Sequence, residues 1–292
     1  MIALVLAAFQ LAAAMPVRPA PVADRIGPAR AAIGSDGHPH LQGDTPAVVV
    51  VDAGHGGVDN GMSGPIGATH KIYEKNITLQ VALKLGRALQ ARGVKVVYTR
   101  TTDTLINLYD RGPIANRAHG NLFISIHVNA SNPKWKDAAT ARGFETYFLS
   151  EAKTEDARRV EAMENSAARF DSGSPVSKGD PLSFILSDMQ QNEHLRESMK
   201  LAETVQDQLG AVEPGPDRGV QQAAFVVLET AFMPAVLVEI GFGTNPQEAA
   251  FISNPRSQTK LAGAIADAAV DYLNAYRAGV NGVADRVAGR HQ

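Results

Sequence analysis

The segment AVVVVDAGHGGVD, residues 47–59, joins an unbroken run of β-branched residues to a glycine-rich turn. Such a run is typical of a strand that is buried on both faces of a sheet. The turn carries His55 among glycines, which let the backbone bend and let a ligand approach closely. Because parallel strands deliver functional groups at their carboxyl ends, the segment predicts a site there. A single histidine after a strand is more often structural than a ligand, so other residues must supply its partners.

The composition is that of a globular protein, with 292 residues, 45% of them hydrophobic and 20% charged. The net charge of −2 excludes the electrostatic footprint of a protein that binds nucleic acid or an anionic membrane. The chain has no cysteine, which excludes thiolate catalysis, thiolate metal sites and disulfides. Any metal ion must therefore be held by histidines and carboxylates.

The amino-terminal region has the pattern of an export signal followed by a leader. Residues 1–15, MIALVLAAFQLAAAM, are apolar and contain an Ala-x-Ala cleavage pattern, which predicts a signal peptide and a periplasmic location. This stretch is too short for a stable membrane anchor. Residues 16–46 are rich in proline and predict a flexible leader. We expect a monomeric catalytic domain over residues 47–278 and a tail over residues 279–292.

Strand and helix patterns alternate along this domain. Strand character recurs at residues 94–99, 121–126, 143–149, 220–227 and 235–240. A helix is predicted over residues 73–92, where apolar residues recur every fourth position from Ile77 to Leu89, and others over residues 107–119 and 257–277. This alternation predicts an α/β fold with a single twisted, mostly parallel sheet and helices on both faces.

Residues 154–209 depart from this alternation. They are charged and contain two helical patterns, residues 155–170 and 181–209, separated by the sequence DSGSPVSKGD. Nothing in them predicts a strand. They form either an insertion before the last strands or a long helical crossover.

Four residues with metal-site chemistry fall at strand ends or a helix start: His55, Glu74, His127 and Glu239. Two histidines and one carboxylate are the ligand set of a catalytic zinc that keeps a fourth position open. A further carboxylate, for which Glu239 is the best candidate, can then act as general base. The pattern alone leaves a zinc site and unrelated strand-end residues equally open, since most α/β proteins have some His and Glu at such positions.

Several segments in the same order resemble the signatures of the zinc-dependent N-acetylmuramoyl-L-alanine amidases of bacterial cell walls (amidase family 3). They are VVVDAGHGGVD, EKNITL, TRTTD, SIHVNA and RGVQQAAFVVLETAFMPAVLVEIGFGTNP. The resemblance implies that His55, Glu74 and His127 bind one Zn²⁺ per chain and that Glu239 is the catalytic acid/base. It also implies a sheet of about six strands. The implied reaction is hydrolysis of the amide between N-acetylmuramic acid and L-alanine in peptidoglycan.

The insertion resembles the helical insertion of the cell-division amidases in this family, which covers the zinc site until a LytM-type activator displaces it. We therefore predict that part of residues 151–191 is a regulatory lid. Glu161 or Glu164 is then the residue that occupies the open zinc position. The alternative is that the insertion is a fixed helical element on the surface of the domain and has no regulatory role. The same resemblance implies a role in cell-wall remodelling and daughter-cell separation.

Other polar residues are weaker candidates. Arg100 and Asn129 are candidate substrate contacts, Arg100 through a stem-peptide carboxylate, although a salt bridge with Asp103 is the simpler expectation. Asp52 either orients His55 or caps the end of its strand. Trp135, the only tryptophan, either stacks on a sugar or packs within its loop.

Two other functions compete with the amidase assignment. One is a zinc peptidase that cuts within the stem peptide. The other is a non-catalytic regulator that binds peptidoglycan, against which the complete His55, Glu74, His127 and Glu239 set argues.

Overall fold

The computed structural model describes residues 33–172 and 181–288, and for residues 181–192 and 280–288 it describes the backbone alone. The elements in chain order are β1 (Val48–Ala53), β2 (Ser63–Gly64), β3 (Ile72–Tyr73), α1 (Glu74–Ala91), β4 (Lys95–Tyr98), α2 (Leu108–Arg117), β5 (Leu122–Asn129), β6 (Phe144–Leu149), α3 (Glu155–Asn165), α4 (Pro181–Leu209), β7 (Asp217–Ala223), α5 (Val226–Glu229), β8 (Ala235–Phe242), α6 (Pro246–Ser253) and α7 (Pro255–Ala288). A 3-10 turn, Ser166–Phe170, extends α3.

Six strands form one sheet in the order β4-β1-β5-β8-β6-β7. The pairs β1–β4, β1–β5, β5–β8 and β6–β7 are parallel, whereas β6 runs antiparallel to β8. The predicted mostly parallel α/β sheet is confirmed. Because β6 and β7 run opposite to the others, their first residues lie at the edge where β1, β5 and β8 end.

Helices cover both faces of the sheet and enclose two apolar cores. One core contains α1, α4 and α7, and the other contains residues of α3 and α5. The stripe from Ile77 to Leu89 is buried in the first core, as the four-residue period of α1 predicts. Strand β1 is almost wholly buried between its neighbours β4 and β5, which explains its unbroken apolar run.

Several predicted boundaries change in the structure, among them the end of β5, which extends from the predicted residue 126 to Asn129 and so includes His127. The predicted strand over residues 220–227 ends at Ala223, because the backbone then turns towards α3. There the Ala224 N–H donates to Glu161 Oε2 and the Val226 N–H donates to Asn165 Oδ1. The helix predicted over residues 257–277 spans Pro255–Ala288 and is preceded by α6, which Asn245 caps.

The predicted leader and tail are described in part. Residues 1–32, including the predicted signal peptide, lie outside the described residues. Further along the predicted leader, the Leu41 N–H donates to the Arg92 carbonyl, and His38 lies 3.1 Å from Asp267 on α7. The second half of the leader therefore contacts the domain. Helix α7 continues through the predicted tail as far as Ala288.

Among the described helices, none combines the length and the apolarity that crossing a membrane requires.

Candidate active site

Four elements bring a ligand-type side chain to one point at the carboxyl ends of the central strands. His55 follows β1, Glu74 opens α1, His127 lies in β5 and Glu164 lies near the end of α3. One ligand atom from each residue lies within 4.8 Å of the others, and all four residues are buried. We call these four residues the metal-site cluster.

The spacing within the cluster fits a tetrahedral zinc. His55 Nε2 and His127 Nδ1 each lie 3.2 Å from Glu74 Oε1. Glu164 Oε2 lies 3.1 Å from His55 Nε2 and 2.7 Å from His127 Nδ1. Nitrogen and oxygen ligands about 2.0–2.2 Å from a tetrahedral zinc are separated by about 3.4 Å. The three predicted ligands, His55, Glu74 and His127, therefore converge, with Glu164 on the remaining side.

Unpaired buried atoms also fit a metal ion. His55 Nε2, His127 Nδ1 and both carboxylate oxygens of Glu164 are buried and make no hydrogen bond of good geometry to the described residues. Buried polar atoms are seldom left in this state in folded proteins. A cation at the centre of the cluster satisfies these atoms, and imidazole with carboxylate is a donor set that zinc prefers.

His55 is held in its orientation by Asp59 rather than by Asp52. Asp59 Oδ2 lies 2.7 Å from His55 Nδ1, which leaves Nε2 directed at the cluster. Asp52 instead accepts from Thr99, Arg111 and Ser125, at 2.6, 2.8 and 2.6 Å. Of the two alternatives for Asp52, the structural role at the end of β1 therefore agrees with the structure, and the orientation of His55 does not. Sequence reasoning missed Asp59, although its position four residues after His55 was a usable signal.

The backbone around His55 is adapted to this crowding. His55 itself has φ of +60°, a conformation that is uncommon for a residue with a side chain and that occurs often at functional sites. A Cβ on Gly54 would lie 2.5 Å from the His127 ring. The glycine before His55 is thus required because His127 packs directly on its Cα.

Glu74 is anchored on both oxygens by backbone groups. Its Oε1 accepts from the Val128 N–H and its Oε2 from the Met62 N–H, each at 2.8 Å. These contacts tie the start of α1 to β5 and to the loop after β1. The carboxylate is thereby fixed before any ligand binds.

Glu239 lies on β8, directly opposite His127 on β5 and Glu145 on β6. It is fully buried, and neither carboxylate oxygen has a hydrogen-bond partner among the described residues. Burial raises the pKa of Glu239 well above its usual value, and the nearby carboxylate of Glu164 adds to the shift. A carboxyl group with a raised pKa is suited to accept and return a proton near neutral pH.

Both candidate substrate contacts are engaged within the protein. Arg100 is buried and donates to the carbonyls of Ala53, Gly54 and Lys75, at 2.8–2.9 Å. The alternative partner, Asp103, accepts from Lys75 instead. In this structure the Arg100 guanidinium therefore braces the loop that carries His55, and its contact with a stem-peptide carboxylate stays a prediction.

Asn129 is likewise paired within the protein. It is fully buried, its side-chain N–H donates to Glu145 Oε1, and its oxygen accepts from the Ala130 N–H. Asn129 therefore positions Glu145 in this structure, and its contact with substrate stays a prediction.

Glu161 and Glu164, the two candidates on α3 for the open metal position, have different surroundings. Glu164 belongs to the metal-site cluster, whereas Glu161 accepts from the Ala224 N–H at 2.9 Å. Helix α3 is also held by Arg159, which donates to the Ala130 carbonyl. Trp135 is half exposed, with the Arg159 guanidinium 5.8 Å from its ring centre.

The chain is similar to known amidases over most of its length. A family model described as N-acetylmuramoyl-L-alanine amidase matches residues 49–271. N-acetylmuramoyl-L-alanine amidase AmiA of Escherichia coli K12 is 34% identical over 230 residues, which cover 78% of this chain and 76% of AmiA. AmiC of Neisseria meningitidis is 32% identical over 229 residues, which cover 78% of this chain and 53% of AmiC. The crystal structure of an N-acetylmuramoyl-L-alanine amidase from Clostridium difficile 630 has a TM-score of 0.58 and 31% identity, covering 79% and 98% of the two chains.

Proposed function

The chain belongs to the N-acetylmuramoyl-L-alanine amidase family and is an enzyme of that class, and we propose that it is zinc-dependent and self-inhibited. The single observation that carries the zinc proposal is the convergence of His55, Glu74 and His127, with unpaired nitrogens of both histidines facing the Glu74 carboxylate. We propose these three residues as the ligands of one Zn²⁺. The catalytic domain then comprises residues 47–278.

The chemistry that a zinc ion supplies in such a site is polarisation of the scissile carbonyl and activation of water. Glu239 accepts a proton from the attacking water at a carboxylate oxygen and donates it to the leaving nitrogen of L-alanine. Its burial keeps the proton available for this return, because the charged carboxylate is disfavoured in an apolar setting. Asp59 holds His55 in one orientation throughout the cycle.

We assign the self-inhibition to α3. The Glu164 carboxylate occupies the side of the cluster that Glu74 leaves open, where the substrate carbonyl must enter. Contacts of Arg159 and Asn165 with β5 and the β7–α5 segment hold the helix there. Removal of α3 by an activator protein of the LytM type then admits peptidoglycan. Such control suits an exported, periplasmic enzyme that cuts the wall during daughter-cell separation.

Dye release from labelled sacculi tests both parts of this proposal. We expect zinc-loaded full-length protein to release dye slowly, and a chelator to abolish the release. Deletion of residues 154–181 should raise the rate. Equal activity with and without chelator would contradict the zinc assignment, and an unchanged rate in a folded deletion variant would contradict self-inhibition.

Mass analysis of the released fragments separates the proposed reaction from its alternatives. An amidase leaves intact stem peptides that bear a free L-alanine amine. A zinc peptidase leaves shortened stems, and a non-catalytic binding protein releases none.

A further inference from the structure

A cleft of about 380 Å³ lies between α3, the loop after β5 and the start of β7. Its lining includes three basic residues, two aromatic ones and two acids, one of them from α3: Lys136, Arg159, Arg218, Trp135, Phe242, Asp137 and Asp156. The side chains of Trp135 and Arg218 are partly exposed within it. The cleft opens on the same sheet edge as Glu239.

Arg218 is the basic residue that the body of the domain fixes most firmly in this cleft. Its Nε lies 3.3 Å from Glu145 Oε2, and its guanidinium lies 5.1 Å from the centre of the Phe242 ring. On the other side of the guanidinium, an N–H of Nη2 donates to the carboxylate of Asp156, which belongs to α3. The guanidinium is thus pre-positioned on one side and engaged on the other by an acid from the inhibitory helix.

We propose that Arg218 binds a free carboxylate of the stem peptide and that Asp156 occupies this subsite while α3 covers the metal-site cluster. This inference rests on the proposed function, because it requires α3 to leave before substrate enters. Guanidinium binds carboxylates with paired, charge-assisted hydrogen bonds, and the face that Asp156 now uses becomes free for such a pair.

The span between the two ends of α3 specifies which carboxylate is recognised. Asp156 and Glu164 are eight residues apart on one helix, which separates them by about 12 Å at 1.5 Å per residue. An extended peptide covers about 3.3–3.6 Å per residue, so three to four stem residues bridge from the cleaved amide to Arg218. Arg218 therefore binds the carboxylate of the third or fourth stem residue. A stem peptide that ends at that residue supplies such a carboxylate at its carboxyl terminus.

Two variants that break the same ion pair test this proposal in the zinc-loaded full chain. Asp156→Asn and Arg218→Gln both remove the ion pair between α3 and β7, but only Arg218→Gln removes the proposed carboxylate receptor. The substrates are a muramoyl tetrapeptide with a free carboxyl terminus and the same fragment as its carboxamide. For wild type and Asp156→Asn, we expect KM for the carboxamide to exceed KM for the free acid about tenfold. In Arg218→Gln the two KM values should be equal. The ratio of the two KM values is unaffected by how often α3 is open.

Equal KM ratios in all three proteins would overturn the subsite. Arg218→Lys keeps the charge but not the paired hydrogen bonds. An intermediate KM ratio in this variant supports the proposal even where Arg218→Gln fails to fold. A wild-type KM ratio in Arg218→Lys counts against the proposal. A wild-type protein that cleaves neither fragment nor sacculi contradicts the proposed function itself. Wild type that cleaves both fragments with the same KM contradicts only the subsite.

Discussion

Replacement of Glu164 by glutamine is the sharpest perturbation of the inhibitory helix. The Glu164 carboxylate lies 2.7 Å from His127 Nδ1 and 3.1 Å from His55 Nε2, and it is buried. Glutamine removes the negative charge that faces the two histidines and the proposed zinc, and we set this charged contact at about 1.5–3 kcal/mol, the range for a hydrogen bond to a charged group. At 1.4 kcal/mol for each factor of ten, loss of this contact raises the fraction of molecules in which α3 is displaced by about 10- to 150-fold. This relation holds as long as that fraction is small.

The initial rate of dye release from labelled sacculi measures this fraction at saturating zinc. We expect Glu164→Gln to exceed the wild-type rate by at least about tenfold, with unchanged zinc stoichiometry. Glu161→Gln is the matched control, since Glu161 lies three residues away on α3 and accepts from the Ala224 N–H instead of facing the metal-site cluster. Its rate should stay within about fivefold of wild type, because a single hydrogen bond to a backbone amide is worth about 1 kcal/mol or less at a partly exposed position, which is a factor of about five at most.

Two results would refute this reasoning. Loss of activity in Glu164→Gln, with zinc retained, would mean that Glu164 takes part in the reaction. Equal activation by Glu161→Gln and Glu164→Gln would mean that the contact with the metal-site cluster does not hold the helix closed.

Three further substitutions test the site and its surroundings. Glu239→Gln should retain zinc in metal analysis yet lose at least about 100-fold in turnover, because it cannot carry the proton; wild-type rates would refute that role. Asp59→Asn should weaken zinc affinity about 10- to 100-fold in a chelator competition, and an unchanged affinity would show that Asp59 does not support His55. Glu213 is buried before β7, and burial together with nearby Glu248 raises its pKa to about 7. That pKa lies above the pKa of Glu213 in the unfolded chain. Protonation of Glu213 therefore contributes to the free energy of unfolding below about pH 4, and this contribution is lost as the pH rises through about 7. Glu213→Gln should therefore raise the free energy of unfolding in urea by about 2–3 kcal/mol at pH 8, with a gain that shrinks towards pH 5; a pH-independent gain would contradict the shift.

The order of the six sheet strands and the main helices, and the three zinc-ligand candidates, could be predicted from the sequence. The apolar run of β1, the four-residue stripe of α1 and the residues at the ends of the strands are local patterns, each set by backbone geometry and burial. Parallel strands end at one sheet edge, so His55 and His127 had to lie near each other once the sheet was assigned. The helical character of residues 155–170 and 181–209 was equally local.

Only the tertiary structure decided which polar residues act on one another. Asp52 and Asp59 lie at similar distances from His55 along the chain. The conformation of the turn after β1 places Asp59 against the His55 ring, whereas Asp52 accepts from Arg111. Glu164 reaches His127 from 37 positions along the chain because α3 packs over the sheet edge, whereas Glu161 on the same helix faces β7. Local patterns determine helices and strands because their periods are short. Pairings between distant side chains depend on how those elements pack, which no single stretch of sequence encodes.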